Sequence, residues 1–373
     1  MRTAFLTGVG KFEIRDTPVP VLKHDGDVLL RVHSVGVCGS DAHYFSSAKV
    51  GDIHVPYPLV LGHECSAIVE ETGKSATKFK KGDRVVVDPA ITCGKCDQCR
   101  AGRFHTCRRV QFLSYPGQLD GCLAEFIVVP EANCFPMPAK MTMSEGALVE
   151  PLSIGMYAVD LWKRDQPRGA DPRPGAPNAP AGVSSKPIAV LGTGPIGLCV
   201  ILAAGAEKIS KVYATDKVDG RTRAAARAGA HWTRNPDKED VVKGILEHEP
   251  LGLDAVFECC GDQAALDQAV ELLKPGGTLF VLGILTGERA AFDASALRRK
   301  EIRIQSVRRQ NQCTAKAIDA VAQGQVNVRF LATHAFSLQE THRAFKTAAA
   351  YADGVLKAMV GMPSFEDEND PSR

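Results

Sequence analysis

The sequence predicts a two-domain α/β protein, in which an antiparallel β region precedes a doubly wound parallel sheet. At 373 residues the chain is longer than one typical domain. Residues 1–35 alternate apolar and polar side chains in short runs interrupted by Pro and Gly, a pattern typical of antiparallel strands and turns. After residue 187 the pattern changes to strand, turn and helix, which indicates a parallel sheet covered by helices.

Short apolar runs bounded by turn residues predict the individual elements. In the first part of the chain, strands are expected at residues 65–70, 84–87 and 121–129, and a helix from residue 150 to about residue 162. In the second part, strands are expected at 188–191, 212–215, 253–258, 278–282, 302–307, 333–336 and 355–359, with helices at 198–206, 263–273 and 314–323. Residues 274–277 are expected to form a turn, and Ser337 and Glu340 a capping box.

Composition limits the classes of partner. Lys and Arg number 45 against 43 Asp and Glu, so the formal net charge of +2 argues against binding to nucleic acid or to an anionic membrane. Residues 187–206 carry no charge, but glycines and a proline interrupt them, so no membrane span is expected. We therefore expect small molecules and copies of the same chain as partners.

The cysteines indicate metal binding and not a disulfide framework. The 12 Cys are too dilute for a disulfide-stabilised secreted domain, and four of them lie within fifteen residues. Thiols kept reduced for metal predict a cytoplasmic protein, and the first residues lack the long apolar core of a secretory signal.

The residues Cys38, His63 and Glu64 predict a catalytic zinc site. A thiolate, an imidazole and a carboxylate are zinc ligands, and three protein ligands leave one tetrahedral position for a water molecule or a substrate. Two other interpretations of these residues exist. A lone Cys usually packs in a core, and the metalloprotease motif is excluded because Ala67 stands where that motif requires a second His.

A second metal site is predicted by Cys93, Cys96, Cys99 and Cys107, which have the spacing C-x2-C-x2-C-x7-C. Four thiolates on one loop suit a structural zinc ion in a closed tetrahedral site. An iron–sulfur cluster is the competing interpretation, but the ferredoxin motif has three residues before its last Cys, which Pro follows. A nucleic-acid-binding zinc module is another alternative, suggested by nearby arginines and opposed by the near-neutral net charge.

The dinucleotide-binding motif G-x-G-x-x-G is present at Gly192, Gly194, Pro195, Ile196 and Gly197, between a predicted strand and a predicted helix. Such glycines let the backbone turn tightly and approach a pyrophosphate at the positive end of the helix.

An acidic residue follows this motif at the distance typical of nicotinamide-binding folds. Asp216 ends the next predicted strand, where its carboxylate would bind the adenosine ribose hydroxyls and repel a 2′-phosphate. NAD is therefore expected over NADP. Lys217 and Arg221, which could attract a phosphate, keep NADP as the alternative.

Two segments have compositions that do not form a core. Residues 163–187 are rich in Pro and are expected to be an exposed linker or loop. The acidic tail from Ser364 to Arg373 is expected to be disordered.

Taken together, these motifs resemble those of the zinc-containing medium-chain dehydrogenases, and among them most closely the sorbitol and other polyol dehydrogenases. The resemblance rests on five segments in order: Cys38–Asp41, Gly62–Glu64, the four-Cys loop, Glu150–Ser153 and Gly192–Gly197. It implies a GroES-like β catalytic domain at residues 1–155 and 307–373, and a Rossmann NAD-binding domain at 156–306.

The resemblance also implies roles for individual residues. Cys38, His63 and Glu64 would bind the catalytic zinc, and the four-Cys loop would bind the structural zinc. Ser40 would hydrogen-bond the substrate oxygen, His43 would end a proton relay, and Glu150 would contact the fourth zinc position. Tyr44, Phe112 and Arg309 would line the substrate pocket together with Glu150.

The implied reaction is hydride transfer from a secondary alcohol of a polyol, such as sorbitol or xylitol, to NAD, which gives a ketose. An amino alcohol such as threonine is the alternative substrate. A metal-free enoyl or quinone reductase and a non-enzymatic zinc-binding regulator are the interpretations from other classes. The resemblance further implies a homo-oligomer, a tetramer or a dimer.

Overall fold

The structure is a computed structural model that describes residues 1–50, 53–164, 186–209, 211–285, 287 and 289–362. The Pro-rich segment predicted at residues 163–187 lies largely outside these residues. The acidic tail predicted from residue 364 lies wholly outside them. The chain divides into two compact units, Met1–Pro151 with Thr314–Arg373, and Leu152–Cys313. These limits differ by a few residues from the domain limits expected from the sequence. The expected domain limits stay a prediction.

The strands of the described residues are given first, in chain order. They are β1 (Arg2–Gly8), β2 (Lys11–Asp16), β3 (Asp27–Gly36), β4 (Lys49–Val50), β5 (Ile53–His54), β6 (Leu59–Val60), β7 (Glu64–Thr72), β8 (Arg84–Val87), β9 (Ala90–Ile91), β10 (Gln111–Phe112), β11 (Phe126–Pro130), β12 (Cys134–Pro136), β13 (Ile188–Leu191), β14 (Val212–Thr215), β15 (Trp232–Arg234), β16 (Leu253–Glu258), β17 (Leu273–Val281), β18 (Arg303–Ser306), β19 (Ala332–Ser337) and β20 (Lys357–Gly361).

The α-helices follow in the same way. They are α1 (Gly39–Ser47), α2 (Asp97–Arg100), α3 (Met143–Ala147), α4 (Val149–Arg164), α5 (Pro195–Ala206), α6 (Asp219–Arg227), α7 (Val241–His248), α8 (Gln263–Leu272), α9 (Ala294–Lys300), α10 (Thr314–Ala322) and α11 (Thr341–Ala349). Short 3-10 helices lie at Phe104–Thr106, Glu131–Asn133, Arg329–Leu331, Leu338–Glu340 and Ala352–Gly354.

The first unit is built on an antiparallel sheet with strand order β12-β8-β7-β3-β20-β19, in which β11 also pairs with β3. Only β19 and β20 pair in parallel among the strands of this sheet. β20 comes from the end of the chain and pairs with β3 from its beginning. The unit therefore joins both ends of the described chain in one sheet.

Alternating side chains of this sheet form the core of the first unit. Leu30 and Val32 of β3, Val69 of β7 and Val85 of β8 are fully buried in one apolar cluster. Phe345 of α11 is buried in the same cluster, so this helix covers the sheet. The sheet fixes the ends of β3 and β7, and the candidate zinc ligands lie at these ends.

The second unit contains a parallel sheet of six strands in the order β15-β14-β13-β16-β17-β18. Its central strands read as continuous apolar runs because both faces are covered, and β13 is buried along its whole length. The order reverses between β13 and β16, which is where ligands bind to doubly wound sheets. The predicted fold class, a GroES-like β domain with a Rossmann domain, is confirmed.

Two predicted elements differ from the structure. Residues 274–277 do not form a separate turn; they belong to β17 as a bulge, since Leu253 pairs with Leu273 while Ala255 pairs with Thr278. The strand predicted at 121–129 is shorter, because regular pairing with β3 starts at Phe126. The capping box of Ser337 and Glu340 is confirmed. Among the described helices, none combines the length and the apolar character that crossing a membrane would require.

Candidate active site and metal centres

Three potential metal ligands lie together in the first unit. Cys38 follows β3 and forms the N-cap of α1, while His63 and Glu64 stand at the start of β7. One donor atom from each, the Cys sulfur, an imidazole nitrogen and a carboxylate oxygen, lies within 4.8 Å of the other two. Because β3 and β7 pair side by side, residues 25 positions apart in sequence meet at one end of the sheet. The donor types and their spacing fit a zinc ion.

The Glu64 carboxylate lies against a glycine of the neighbouring strand. Gly36 of β3 pairs with Glu64 of β7. A Cβ at position 36 would overlap with Oε2 of Glu64, so this placement of the carboxylate requires either glycine there or a shift of the Glu64 side chain. Gly36 therefore leaves open the space that the carboxylate occupies.

Asp41 lies next to His63 and was not predicted as a site residue. Its Oδ2 lies 3.3 Å from Nδ1 of His63 and accepts a hydrogen bond from the backbone N–H of Gly62 at 3.0 Å. Its Oδ1 accepts a hydrogen bond from the Ser114 hydroxyl at 2.8 Å. A carboxylate beside one ring nitrogen favours the tautomer whose other nitrogen can bind a metal. Asp41 is thus placed to orient His63.

The electrostatics around His63 favour positive charge. Burial alone would lower the pKa of His63, but the Asp41 carboxylate and the Cys38 sulfur outweigh burial and raise the pKa well above its ordinary value. Negative groups that stabilise a proton on His63 would also stabilise a cation bound beside it.

Lys357 of β20 forms a buried ion pair with Glu64. The Lys357 Nζ lies 2.7 Å from both carboxylate oxygens of Glu64 and donates to the carbonyl of Val37 at 3.1 Å. Both side chains are only 1% exposed. The Glu64 carboxylate therefore lies close both to the Lys357 ammonium and to the Cys38 and His63 donors.

Glu150, at the start of α4, is buried near the same group of charges. Burial and, to a smaller extent, the charge of Glu64 raise the pKa of its carboxyl, while His63 and Lys357 lower it, and the resulting pKa is about 7. A carboxyl with a pKa near 7 can gain or lose a proton at neutral pH.

The other residues predicted to act in catalysis or to bind substrate do not all lie beside the metal ligands. The Ser40 hydroxyl donates a hydrogen bond to the Cys38 sulfur at 3.3 Å, so it lies beside the donor set. The Phe112 ring packs against the His63 ring, with centroids 5.2 Å apart. Tyr44 is buried in the core of the first unit, and His43 is exposed on α1. Arg309 belongs to the second unit, at a backbone φ of 53°.

The four-Cys loop brings its sulfur atoms together. The sulfur–sulfur distances are 3.6 Å for Cys96 to Cys99, 3.9 Å for Cys96 to Cys107 and 3.5 Å for Cys93 to Cys107. The backbone N–H groups of Cys93 and Arg109 donate to the Cys107 sulfur at 3.3 and 3.4 Å. Four converging thiols with backbone donors fit a closed zinc site.

The thiols of this loop differ in acidity before any metal binds. A hydrogen bond from the Lys95 backbone lowers the pKa of Cys93 to about 6. A backbone hydrogen bond from Cys99 lowers the pKa of Cys96, whereas desolvation raises the pKa of Cys99 to about 12. Four neighbouring thiolates repel one another, so a bound cation is needed to keep all of them ionised.

In the second unit, the glycine motif forms the turn between β13 and α5. Gly192 has a φ of 89°, which favours glycine, and Gly194 is the N-cap of α5. A Cβ at Gly197 would lie 1.9 Å from the carbonyl oxygen of Gly192, so the turn closes only with glycine there. Pro195 and Ile196 occupy the first helical turn. The backbone N–H groups at this helix end suit a phosphate group.

Asp216 stands directly after β14, beside this turn. Its Oδ2 accepts from the backbone N–H of Thr193 at 2.7 Å, and its Oδ1 accepts from Val218 at 2.8 Å. Lys217 is paired with Asp262 at 2.8 Å. The guanidinium of Arg221 lies close to Gly194, with Nη1 3.6 Å from the point where a Cβ would stand.

Sequence reasoning missed the two residues that hold the candidate ligands, Asp41 and Lys357. Asp41 is part of the Cys38–Asp41 motif, but its role depends on the approach of His63, at the start of β7, to helix α1. Lys357 carried a signal that could have been used, because it is a charge inside the otherwise apolar run from Val355 to Val360.

Comparison with known proteins agrees with this geometry. Residues 24–139 match the model of the alcohol dehydrogenase GroES-like domain, and residues 195–323 match the zinc-binding dehydrogenase model. The match to the GroES-like domain includes Cys38, His63, Glu64 and the four-Cys loop.

Similar proteins cover nearly the whole chain. Sorbitol dehydrogenase of Bacillus subtilis is 33% identical over 361 residues, which are 96% of this chain and 97% of the relative. D-xylulose reductase A of Aspergillus niger is 32% identical over 365 residues, 96% of each chain. A solved structure from Sinorhizobium meliloti 1021, assigned as a zinc-binding dehydrogenase and bound to NADP, is 29% identical with a TM-score of 0.83, and covers 96% of this chain and 98% of its own.

The converging ligands, the glycine turn and both domain matches lead to one family, and the resemblance to polyol dehydrogenases is confirmed. The chain is an oxidoreductase that belongs to the zinc-binding medium-chain alcohol dehydrogenases.

Proposed function

We propose that this protein oxidises a secondary hydroxyl of a polyol such as sorbitol or xylitol to a ketone, with zinc and NAD. The observation that carries the proposal is the convergence of the Cys38, His63 and Glu64 donor atoms within 4.8 Å at the start of β7. The polyol class is supported by the sorbitol dehydrogenase and D-xylulose reductase relatives, each about one third identical over almost the whole chain.

Zinc, when bound, supplies a Lewis acid that lowers the pKa of a substrate hydroxyl, and the nicotinamide supplies the hydride acceptor. Cys38, His63 and Glu64 would hold the zinc. The thiolate and the carboxylate would balance its two positive charges formally, while His63 would bind as a neutral ligand with Asp41 beside its other ring nitrogen. Cys93, Cys96, Cys99 and Cys107 would hold a second, structural zinc.

Ser40 is the candidate acceptor of the substrate proton. Its hydroxyl lies 3.3 Å from the Cys38 sulfur and can rotate, so its oxygen would accept the substrate proton while its own hydrogen is released to the next group of the relay. His43 lies three residues later on α1, hence on the same helix face, and is exposed. It would pass the proton to solvent, as general base catalysis requires a connected path.

Glu150, Tyr44, Phe112 and Arg309 are the proposed substrate-contacting residues. The contact of Phe112 with the His63 ring supports a place beside the metal ligands. The raised pKa of Glu150, about 7, supports a role in which its carboxyl donates or accepts a hydrogen bond near the fourth zinc position.

For the cofactor we propose NAD, held by the glycine turn from Gly192 to Gly197, by Asp216 and by Arg221. The charge of Asp216 beside the turn supports NAD, because it would repel a 2′-phosphate. The ion pair of Lys217 with Asp262 supports the same choice, since it offsets one of the two cations that could attract that phosphate.

We further propose a cytoplasmic homo-oligomer, either a dimer or a tetramer. All residues of β18, the edge strand of the parallel sheet, are exposed, which supports a subunit contact there. The net charge of +2 supports small molecules, rather than nucleic acid or a membrane, as the other partners.

The experiment that tests the proposal is an assay of polyols, sugars and amino alcohols with NAD and with NADP at saturating concentration. The proposal expects the highest kcat/KM for a polyol with NAD, and no turnover above background for the Cys38→Ala variant. A preference for threonine or another amino alcohol would favour the alternative substrate class. Full turnover in Cys38→Ala would contradict zinc-dependent chemistry at this site.

A further inference from the structure

Lys357 places a full positive charge inside the sheet of the first unit. It lies on β20, its side chain is 1% exposed, and its neighbours in the strand, Ala358 and Met359, are apolar and buried. A buried ammonium is costly unless it is paired and hydrogen-bonded. Here Nζ meets both Glu64 oxygens at 2.7 Å and the Val37 carbonyl at 3.1 Å.

Both partners of Lys357 are connected to the candidate zinc ligands. Glu64 is itself a candidate ligand, and Val37 directly precedes Cys38. The Glu64 carboxylate lies where the side chain of any other residue at position 36 would begin, so Gly36 leaves open the space that it occupies. The same carboxylate is therefore available to two cations, the Lys357 ammonium and a zinc ion held by Cys38 and His63.

Sharing the Glu64 carboxylate between two cations changes how strongly it can bind a metal. A carboxylate that already neutralises an ammonium donates less charge to a metal, and the ammonium also repels the metal directly. A zinc ion in such a site is bound less tightly, and it retains more positive charge to act on a substrate oxygen. Salt and water screen neither effect strongly, because the Lys357 and Glu64 side chains are buried.

We propose that Lys357 is a positioning residue that competes with zinc for the Glu64 carboxylate and thereby lowers the zinc affinity of the Cys38, His63 and Glu64 site. The proposal rests on the proposed function, which places zinc at these ligands. It concerns the strength of the site and not the identity of its ligands.

The test is a double-mutant cycle on zinc affinity with Lys357→Met, Glu64→Gln and the double variant. Zinc binding is measured by competition with a chelator on the full chain, and Cys38→Ala, which lacks this site, gives the four-Cys contribution to subtract. Lys357→Met should bind zinc at least about tenfold more tightly than the wild type. In the Glu64→Gln background only the direct repulsion between the ammonium and the metal is left to remove, so the same substitution should tighten zinc binding by a clearly smaller factor than in the wild-type background.

Lys346→Met is the matched control, because it removes the same charge from an exposed position on α11. It should leave the zinc affinity unchanged. If Lys357→Met does not yield folded protein, Lys357→Gln is measured in its place, since it removes the charge and keeps a hydrogen-bond donor.

Unchanged or weaker zinc binding after removal of the Lys357 charge overturns the proposal, and so does an equal effect in the two Glu64 backgrounds. A purely structural lysine would give that result. Failure of the proposed function looks different: the wild type and Cys38→Ala would then bind equal amounts of zinc.

Discussion

The carboxylate of Asp41 lies 3.3 Å from Nδ1 of His63, and its two hydrogen bonds, from the Gly62 backbone and the Ser114 hydroxyl, hold it in that position. Asp41 is only 1% exposed, so water would not take the place of its carboxylate if the residue were substituted. The pair connects the helix α1 to the start of β7, so the two segments that carry the candidate zinc ligands are joined by it. The imidazole is thereby oriented before a metal binds.

Asp41→Asn should weaken zinc binding at the Cys38, His63 and Glu64 site by about 10–100-fold, because the charge that orients His63 is lost while the shape is kept. Zinc retained after dialysis against a chelator series measures the change. Ser114→Ala removes only one hydrogen bond to Asp41 and serves as the control, with a smaller effect. Equal zinc affinity in Asp41→Asn and the wild type would show that Asp41 has no part in orienting the ligand.

Cys96→Ser should remove the structural zinc and destabilise the first unit by more than about 3 kcal/mol, because the metal contributes to the folding of its loop. Denaturant unfolding and zinc analysis together measure this. Cys134→Ala, a buried thiol of β12 outside both cysteine sets, is the control; it should keep both zinc ions and cost about 1 kcal/mol. Undiminished stability in Cys96→Ser would mean that this loop does not depend on metal.

The pH dependence of stability should report the buried carboxyl of Glu150. Its pKa of about 7 in the folded chain exceeds the ordinary value of 4.5, so burial favours the protonated form. No stability is lost below pH 4.5, and the loss grows as the pH rises through 7. In the Cys38→Ala background, which lacks the neighbouring zinc, adding Glu150→Gln should therefore stabilise the chain by about 2–3 kcal/mol more at pH 8 than at pH 5.

Urea unfolding at the two pH values gives this difference. The control is Glu13→Gln, since a hydrogen bond from Arg15 lowers the pKa of the exposed Glu13 carboxyl. That replacement should not stabilise the chain as the pH rises. A pH-independent effect of Glu150→Gln would contradict the raised pKa.

Asp216→Asn should change the choice of cofactor. Loss of the charge removes both a strong acceptor for the ribose hydroxyls and the repulsion of a 2′-phosphate, so kcat/KM with NAD should fall about 10–100-fold relative to that with NADP. Steady-state kinetics with both cofactors measure the ratio. Asp219→Asn, three residues further on and 48% exposed, is the control and should leave the ratio within about threefold. An unchanged ratio in Asp216→Asn would remove this residue from the cofactor site.

Local patterns were sufficient to predict much of the fold. The short buried runs predicted β13 and β14 at their observed limits, because every residue of these strands is buried and the run ends where burial ends. The bulge at residues 274–277 was mistaken for a turn, since Gly276 with its φ of 75° is equally suited to both. The difference between them lies in the pairing with β16, which is a long-range property.

The site residues likewise divide into those that the sequence predicts and those that only the fold brings together. Cys38, His63, Glu64 and the four thiols could be identified from residue type and spacing, because metal ligands are few and chemically distinct. Asp41 and Lys357 could not be assigned, because each acts through a residue from a different strand or helix. Their roles follow from the meeting of β3, β7 and β20 in one sheet.

The central claim is that Cys38, His63 and Glu64 hold a zinc ion separate from that of the four-Cys loop. Elemental analysis of purified wild type and Cys38→Ala, each dialysed against metal-free buffer, tests it most directly. The account predicts two zinc ions per wild-type chain and one per Cys38→Ala chain, with the variant still folded. Equal zinc contents in the two proteins would contradict it.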